Sequence, residues 1–159
     1  MSFIGRIIKT LKGTMAYENL FAVADYILSR QGPMSAMKLQ KLVYYSQAWS
    51  LVWTEKELFP EEFQAWANGP VVWELYGAHR GEFRIEPGFF RGDTGRLSQE
   101  QRDVIDKVLS FYGPKDPQWL SNLTHMESPW REARAGVPDG DRCSNIISKE
   151  SLLEYYSSL

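Results

Sequence analysis

The sequence predicts a mainly α fold: a single compact helical domain around a buried central helix, with at most a small β-hairpin or short edge strands. Three observations predict it. The segment Ser35–Thr54, SAMKLQKLVYYSQAWSLVWT, holds no Gly or Pro and is apolar on nearly every side at helical spacing. Leu39, Leu42, Val43, Trp49 and Trp53 make one face, Met37, Tyr44, Ala48 and Leu51 a second, and Tyr45 and Val52 fill the space between. A helix apolar all round is buried. The segments on either side repeat helical periodicity between caps and Gly-Pro breaks. Finally, 159 residues at 43% hydrophobic and 14% aromatic suit one domain with a dense core and argue against disorder.

Taken in order, residues 1–14 read as an N-terminal amphipathic extension and 15–159 as the domain. Phe3, Ile4, Ile7, Ile8 and Leu11 recur at helical spacing, with Arg6, Lys9 and Lys12 between them. So short a helix is unstable alone. It either packs on its own domain, precedes an internal start at Met15, or lays its stripe on a partner or a membrane surface. A helix from Met15 to Arg30, capped by Thr14, carries Tyr17, Leu20, Phe21, Ala24, Ile27 and Leu28 as one stripe and stops at Gln31-Gly32-Pro33. Ser35 then caps the central helix. Its polar residues Lys38, Gln40, Lys41 and Gln47 are expected to escape through narrow gaps.

Phe63–Trp66 reads equally as an extended segment or a helical turn. Asn68-Gly69-Pro70 is punctuation, and Pro70 suits the first position of a helix carrying Val71, Val72, Leu75 and Tyr76. Arg80–Arg96 is the least helical part. Glu86-Pro87-Gly88-Phe89 fits a type II turn, and a loose hairpin pairing Phe83–Ile85 with Phe89–Arg91 would follow. Ser98–Gln101 is a capping box for a helix with Val104, Ile105, Val108, Phe111 and Tyr112 on one face, ended by Gly113-Pro114. Asp116-Pro117 and Ser128-Pro129 cap two short helices. Ile146-Ile147 supplies an edge strand or a core plug, and Ser148 caps the last helix.

Charge and composition narrow the function. Lys plus Arg total 18 against 20 acids, a net charge of −2, which argues against binding driven by phosphate neutralisation. A lone cysteine, Cys143, fits a reducing cytoplasm. No apolar run reaches the roughly 18 residues of a membrane span, and no secretion signal opens the chain. His79, His125 and Cys143 lack zinc spacing, Cys143 has no evident base, and no phosphate-cradling loop follows a strand, so no metal, cofactor or catalytic residue is assigned. Lys38 and Lys41 stand near the positive end of the central helix, where the dipole disfavours cations. They either pair with a carboxylate such as Glu74 or frame a site for an acidic group of a partner. Most aromatics belong to the core, but some of Trp49, Trp53, Trp66, Trp73 and Trp130 would serve as interface anchors.

Three blocks carry a resemblance: KLQKLVYYSQAWSL, LFPEEFQAWANGPVVWELY and LSNLTHMESPWREAR. In this order they resemble the Panacea, or SocA-like, antitoxin domain, over nearly all of the chain from Met15 onward. The resemblance implies a cytoplasmic antitoxin of a toxin–antitoxin system, often phage-associated, that neutralises the toxin of an adjacent gene by direct protein contact. A protease adaptor that delivers the toxin for degradation is the alternative; a nucleic-acid-binding regulator or an enzyme has less support. The matching positions are Lys38, Leu39, Gln40, Lys41, Leu42, Tyr44, Tyr45, Trp49, Trp66, Gly69, Pro70, Val71, Tyr76, Thr124, His125, Pro129 and Trp130. Most read as scaffold. Thr124-His125 is expected to cap a helix end, while Lys38, Gln40, Lys41 and His125 would surround a polar pocket. The extension and the Arg80–Arg96 stretch, with Arg84 and Arg91, match least and are the candidates for partner specificity.

Overall fold

A computed structural model describes residues 17–159. The predicted N-terminal extension and the Thr14 cap lie outside them. Among the described residues, seven helices surround one core: α1 (Glu18–Gln31), α2 (Ala36–Thr54), α3 (Trp73–His79), α4 (Gln99–Tyr112), α5 (Pro117–Met126), α6 (Ser128–Ala133) and α7 (Lys149–Ser157). Five short strands join them: β1 (Met34–Ser35), β2 (Phe63–Trp66), β3 (Gly69–Val72), β4 (Arg84–Ile85) and β5 (Ile146–Ile147). The mainly α architecture around α2 is as the sequence predicts.

The caps explain most helix boundaries. Ser35 accepts the Lys38 N–H at the start of α2. The full Ser98–Gln101 capping box opens α4, Asp116 accepts from Trp119 N–H for α5, and Ser148 accepts from Ser151 N–H for α7. Helix α1 ends at Gly32, whose φ of +83° only glycine adopts freely. Ser128 lies inside α6 rather than capping it, and Glu127 precedes that helix.

Helix α2 packs against α4, α7, α1, α5 and β3. Of the four polar residues expected at gaps, Gln40, Lys41 and Gln47 are buried and only Lys38 is half-buried. Buried amides must find partners, and here they take main-chain groups from the segments that are not helical. The Gln47 amide donates to the Phe59 carbonyl at 2.8 Å and accepts from Leu58 N–H at 2.7 Å. Gln40 accepts from Val72 N–H at 2.9 Å. The central helix is thus also the clamp that fixes the chain after its own C-terminus. Gln47→Leu strands both groups at Leu58 and Phe59 and costs about 2–4 kcal/mol, read as a lower urea midpoint at unchanged slope.

Two regions differ from expectation. Gly69–Val72 is strand β3, not the start of a helix, and helix α3 begins only at Trp73. Strand order is β3-β2-β5, all antiparallel, so Pro70 lies in an edge strand where its missing N–H is tolerated. The turn at Glu86–Phe89 forms, with Phe89 N–H donating to the Glu86 carbonyl and Gly88 at φ +83°. The predicted local hairpin does not: Arg84–Ile85 pairs instead with Met34–Ser35. Buried Asp25 ties down the rest of that segment by accepting from Gly92 N–H at 2.6 Å and Phe90 N–H at 3.4 Å. The long-range pairing sets buried Ile85 opposite buried Met34 and leaves Phe83 exposed.

Candidate functional site

The β2–β3 hairpin is where the sequence blocks meet. Its backbone is held from several sides by side chains distant in sequence. Arg134 Nη1 donates to the Ala65 carbonyl at 2.9 Å, Trp130 Nε1 to Trp66 at 2.8 Å and Ser121 Oγ to Asn68 at 2.7 Å. Lys41 Nζ points at the Pro70 carbonyl from 3.4 Å, and Gln40 holds Val72. Gly69 has φ +117°, and a Cβ there would meet Lys41 Cε at 2.5 Å and Thr124 Oγ1 at 2.9 Å. A glycine is required because the lysine stem and the threonine occupy the side-chain space.

Beside the hairpin opens a cleft of about 780 Å³. Its walls are the start of α2 (Met37, Gln40, Lys41), the hairpin, α3 with Arg80, and Arg142–Ser144. Trp66, Trp73 and Tyr76 make an aromatic wall, with Trp66 edge-on to Tyr76 at 4.9 Å and Trp73 stacked on Tyr76 at 5.8 Å. Trp73 is 51% exposed, unusual for so large an apolar side chain. The lining includes Lys41, Arg80 and Arg142 and no carboxylate.

Lys41 is 1% exposed and has no ion pair among the described residues. Burial alone lowers its pKa from 10.5 to about 7, because nothing nearby repays the lost hydration of an ammonium. His79 is buried too, and Gln40 Nε2 lies 3.0 Å from its Nε2. The amide donates, so the imidazole is the neutral tautomer protonated on Nδ1, in keeping with a pKa lowered by desolvation. His125 stacks on Trp130 at 4.0 Å, its Nε2 without a hydrogen-bond partner among the described residues. Its pKa is lowered by burial and by the charges of Lys41 and Arg134 against Asp139.

The predicted site residues divide. Gln40, Lys41, Trp66 and Tyr76 come together at the cleft. Gly69, Pro70, Thr124, His125 and Trp130 stand behind it as support. Thr124 donates to Ser121 within α5 and caps nothing, and His125 is a stacking partner rather than a cap. Lys38 leaves the site: its Nζ donates to the Gly113 carbonyl at 2.6 Å, closing the end of α4. Glu74 pairs with neither lysine. It lies near Glu61, whose carboxyl is pushed up to about 6, mainly by burial.

Trp49 and Trp130 face the core, Trp49 donating to the Tyr112 hydroxyl at 3.0 Å. Tyr44 is buried in an aromatic and carboxylate network. There Glu127 accepts from Tyr45 at 2.6 Å and Tyr156 at 2.8 Å, and the Tyr44 and Tyr156 hydroxyls are 3.1 Å apart. The loop arginines do not converge: Arg84 meets Glu86, Arg96 meets Glu18 and Asn19, and only Arg80 reaches the cleft. Sequence reasoning missed His79, Arg142 and buried Arg134 as neighbours of the hairpin; only the pairing of distant segments brings them there.

No group of three or more potential metal ligands occurs among the described residues, and no helix there is long and apolar enough to cross a membrane. No curated protein and no solved structure matches the chain. A family described as "Antitoxin SocA-like, Panacea domain" matches residues 39–131, from the helix that supplies Lys41 to the end of the corner that supplies Trp130. That match spans more than half of the 159 residues, and the chain belongs to the SocA-like antitoxin, Panacea-domain family.

Proposed function

We propose that this protein is an antitoxin that binds the toxin encoded by an adjacent gene and covers its active surface, acting in the cytoplasm without catalysing a reaction. The observation that carries this reading is the aromatic wall made by Trp73 and Tyr76 of α3 against Trp66 of a hairpin pinned by Gln40, Ser121, Trp130 and Arg134. Tryptophan and tyrosine supply most of the energy at protein interfaces. A wall held rigid before binding loses little entropy when the partner arrives. The basic rim of Arg80 and Arg142 favours a partner with an acidic face. The extension at Met1–Gly13 and the Arg80–Arg96 segment, the parts least like the family, set which toxin is accepted.

The experiment is binding of purified toxin to purified antitoxin. Trp73→Ala, at an exposed position, weakens binding by about 1–3 kcal/mol with the thermal midpoint unchanged. Deletion of Met1–Gly13 weakens the same interaction. Undiminished affinity in Trp73→Ala would remove the cleft wall from the interface.

A further inference from the structure

We infer that the cleft is a carboxylate-binding site in which Lys41 at the floor receives the acid group and the Trp66–Trp73–Tyr76 wall receives the apolar body that carries it. The proposal rests on reading this domain as a binding protein and adds the chemistry of what the cleft binds.

Four observations carry it. Lys41 is buried and lines the cleft, and among the described residues its ammonium has a single acceptor, the Pro70 carbonyl at 3.4 Å, a long contact for a group with three protons to donate. A buried cation without a partner is costly and ordinarily replaced by an apolar residue; here the missing partner is what a ligand would bring. The other cations of the lining, Arg80 and Arg142, stand at exposed positions, and among the described residues no carboxylate lines the cleft or pairs with any of the three. The volume of about 780 Å³ falls among clefts that hold small organic ligands or a few residues of a peptide.

The surroundings of Lys41 fix how acidity acts on the site. Strands β2 and β3 present no titratable group between Phe63 and Val72. Helix α3 presents His79, held neutral by Gln40, and α5 presents His125, which feels the Lys41 charge. The remaining titratable or charged groups of the lining are Tyr76, Arg80, Arg142 and Cys143. An arriving anion favours the charged lysine, so binding takes up a proton near neutral pH and weakens as pH rises.

The carboxylate has two sources, a free organic acid or an acidic side chain of a bound protein, and the probes separate them. The full chain is titrated with phenylacetate and its neutral counterpart phenylacetamide, and with acetyl-Phe-Glu-amide and acetyl-Phe-Gln-amide. Binding is read from the indole N–H resonances of Trp66 and Trp73. At pH 6.5 each acid is expected to bind at least about tenfold tighter than its amide, the value of one charge-assisted contact. With a lysine pKa of about 7, raising the pH to 8.5 should weaken the acids severalfold, toward the affinity of the amides, and leave the amides unchanged.

Lys41→Met should abolish the preference for acid over amide while keeping the circular dichroism spectrum. Arg80→Gln, at an exposed position, should reduce that preference and cannot be dismissed as a folding failure. Tighter binding of the Glu peptide than of phenylacetate assigns the site to a protein side chain, and the reverse order assigns it to a free acid. Equal affinity for acid and amide, an unaltered preference in Lys41→Met, or no response to any of the four probes would overturn the inference. The probes require no toxin, so such a result would leave toxin neutralisation standing, and a failure to neutralise toxin would not alter these titrations.

Discussion

Replacing Arg134 with alanine is expected to cost about 3–5 kcal/mol of unfolding free energy, enough to unfold a large fraction of a marginally stable domain. The guanidinium is 1% exposed and bonded to no carboxylate. Three carbonyls hold it instead, those of Ala65 at 2.9 Å, Pro138 at 2.8 Å and Asp141 at 2.7 Å, and it lies 4.8 Å from the Trp130 ring centroid. One side chain thus fixes a β2 carbonyl, a loop of irregular backbone and the tryptophan that itself bonds to Trp66. Truncation leaves the carbonyls of a buried neighbourhood without donors and opens a cavity beside Trp130. Arg134→Met restores the packing without the donors, so it should recover only part of the loss. Urea unfolding of the three proteins checks the order wild type, then Met, then Ala; equal stability of all three would mean that the carbonyls find water instead.

The other buried cation predicts the opposite sign. Lys41→Met is expected to stabilise the protein, by on the order of a few kcal/mol at pH 6, because it removes a charge that the fold does not pair. The folded-state pKa of Lys41 lies at about 7 against 10.5 unfolded. Between these values the unfolded chain holds one more proton than the folded chain. The Lys41 contribution to wild-type stability therefore rises with pH across this window, by about 1.4 kcal/mol per pH unit, and is at its floor below pH 7; Lys38, lowered by burial from 10.5, adds in the same sense. His79 and His125 are both lowered from 6.5, so their titration falls below the window. The buried tyrosines Tyr45 and Tyr156 are raised from 10 and titrate above it. Urea midpoints at pH 6, 7.5 and 9 should converge for wild type and Lys41→Met as pH rises. Parallel curves would mean that the lysine is paired and charged in the folded protein.

The contrast between these cations marks what the sequence conveyed. Helix α2 was legible because a Gly- and Pro-free run that is apolar on every side has one way to be buried. The caps at Ser35, Ser98, Asp116 and Ser148 were legible because capping is a local interaction between residues three apart. The start of α3 was not, since Gly69-Pro70 suits both a helix start and an edge strand, and the choice falls to β2, which pairs with Val71 and Val72. The same limit hid the burial of Gln40 and Gln47. A polar residue among apolar ones marks a gap in the surface unless another segment brings it a backbone N–H and carbonyl.

The site followed this pattern. The Lys-Leu-Gln-Lys-Leu, Ala-Trp-x-x-Gly-Pro-Val and Pro-Trp blocks were visible as motifs, and their convergence on one hairpin gives a physical reason for each. The split of Lys38 from Lys41 was invisible, because residues three apart on a helix share a face and read as neighbours. One reaches the end of α4 and the other the cleft. Phe111, expected in the core face of α4, is exposed, while Leu109 takes the buried position; at fourteen residues that helix is long enough for a small rotation to exchange them.

The most direct test of the central claim is a titration with purified components. Increasing amounts of this protein are added to a fixed amount of the toxin encoded by the adjacent gene, with no protease present, and toxin activity is followed. Covering the toxin's active surface predicts loss of activity that is complete at a fixed molar ratio and reversed when the complex is dissociated. Undiminished toxin activity at large molar excess, with loss appearing only once a protease is added, would contradict it.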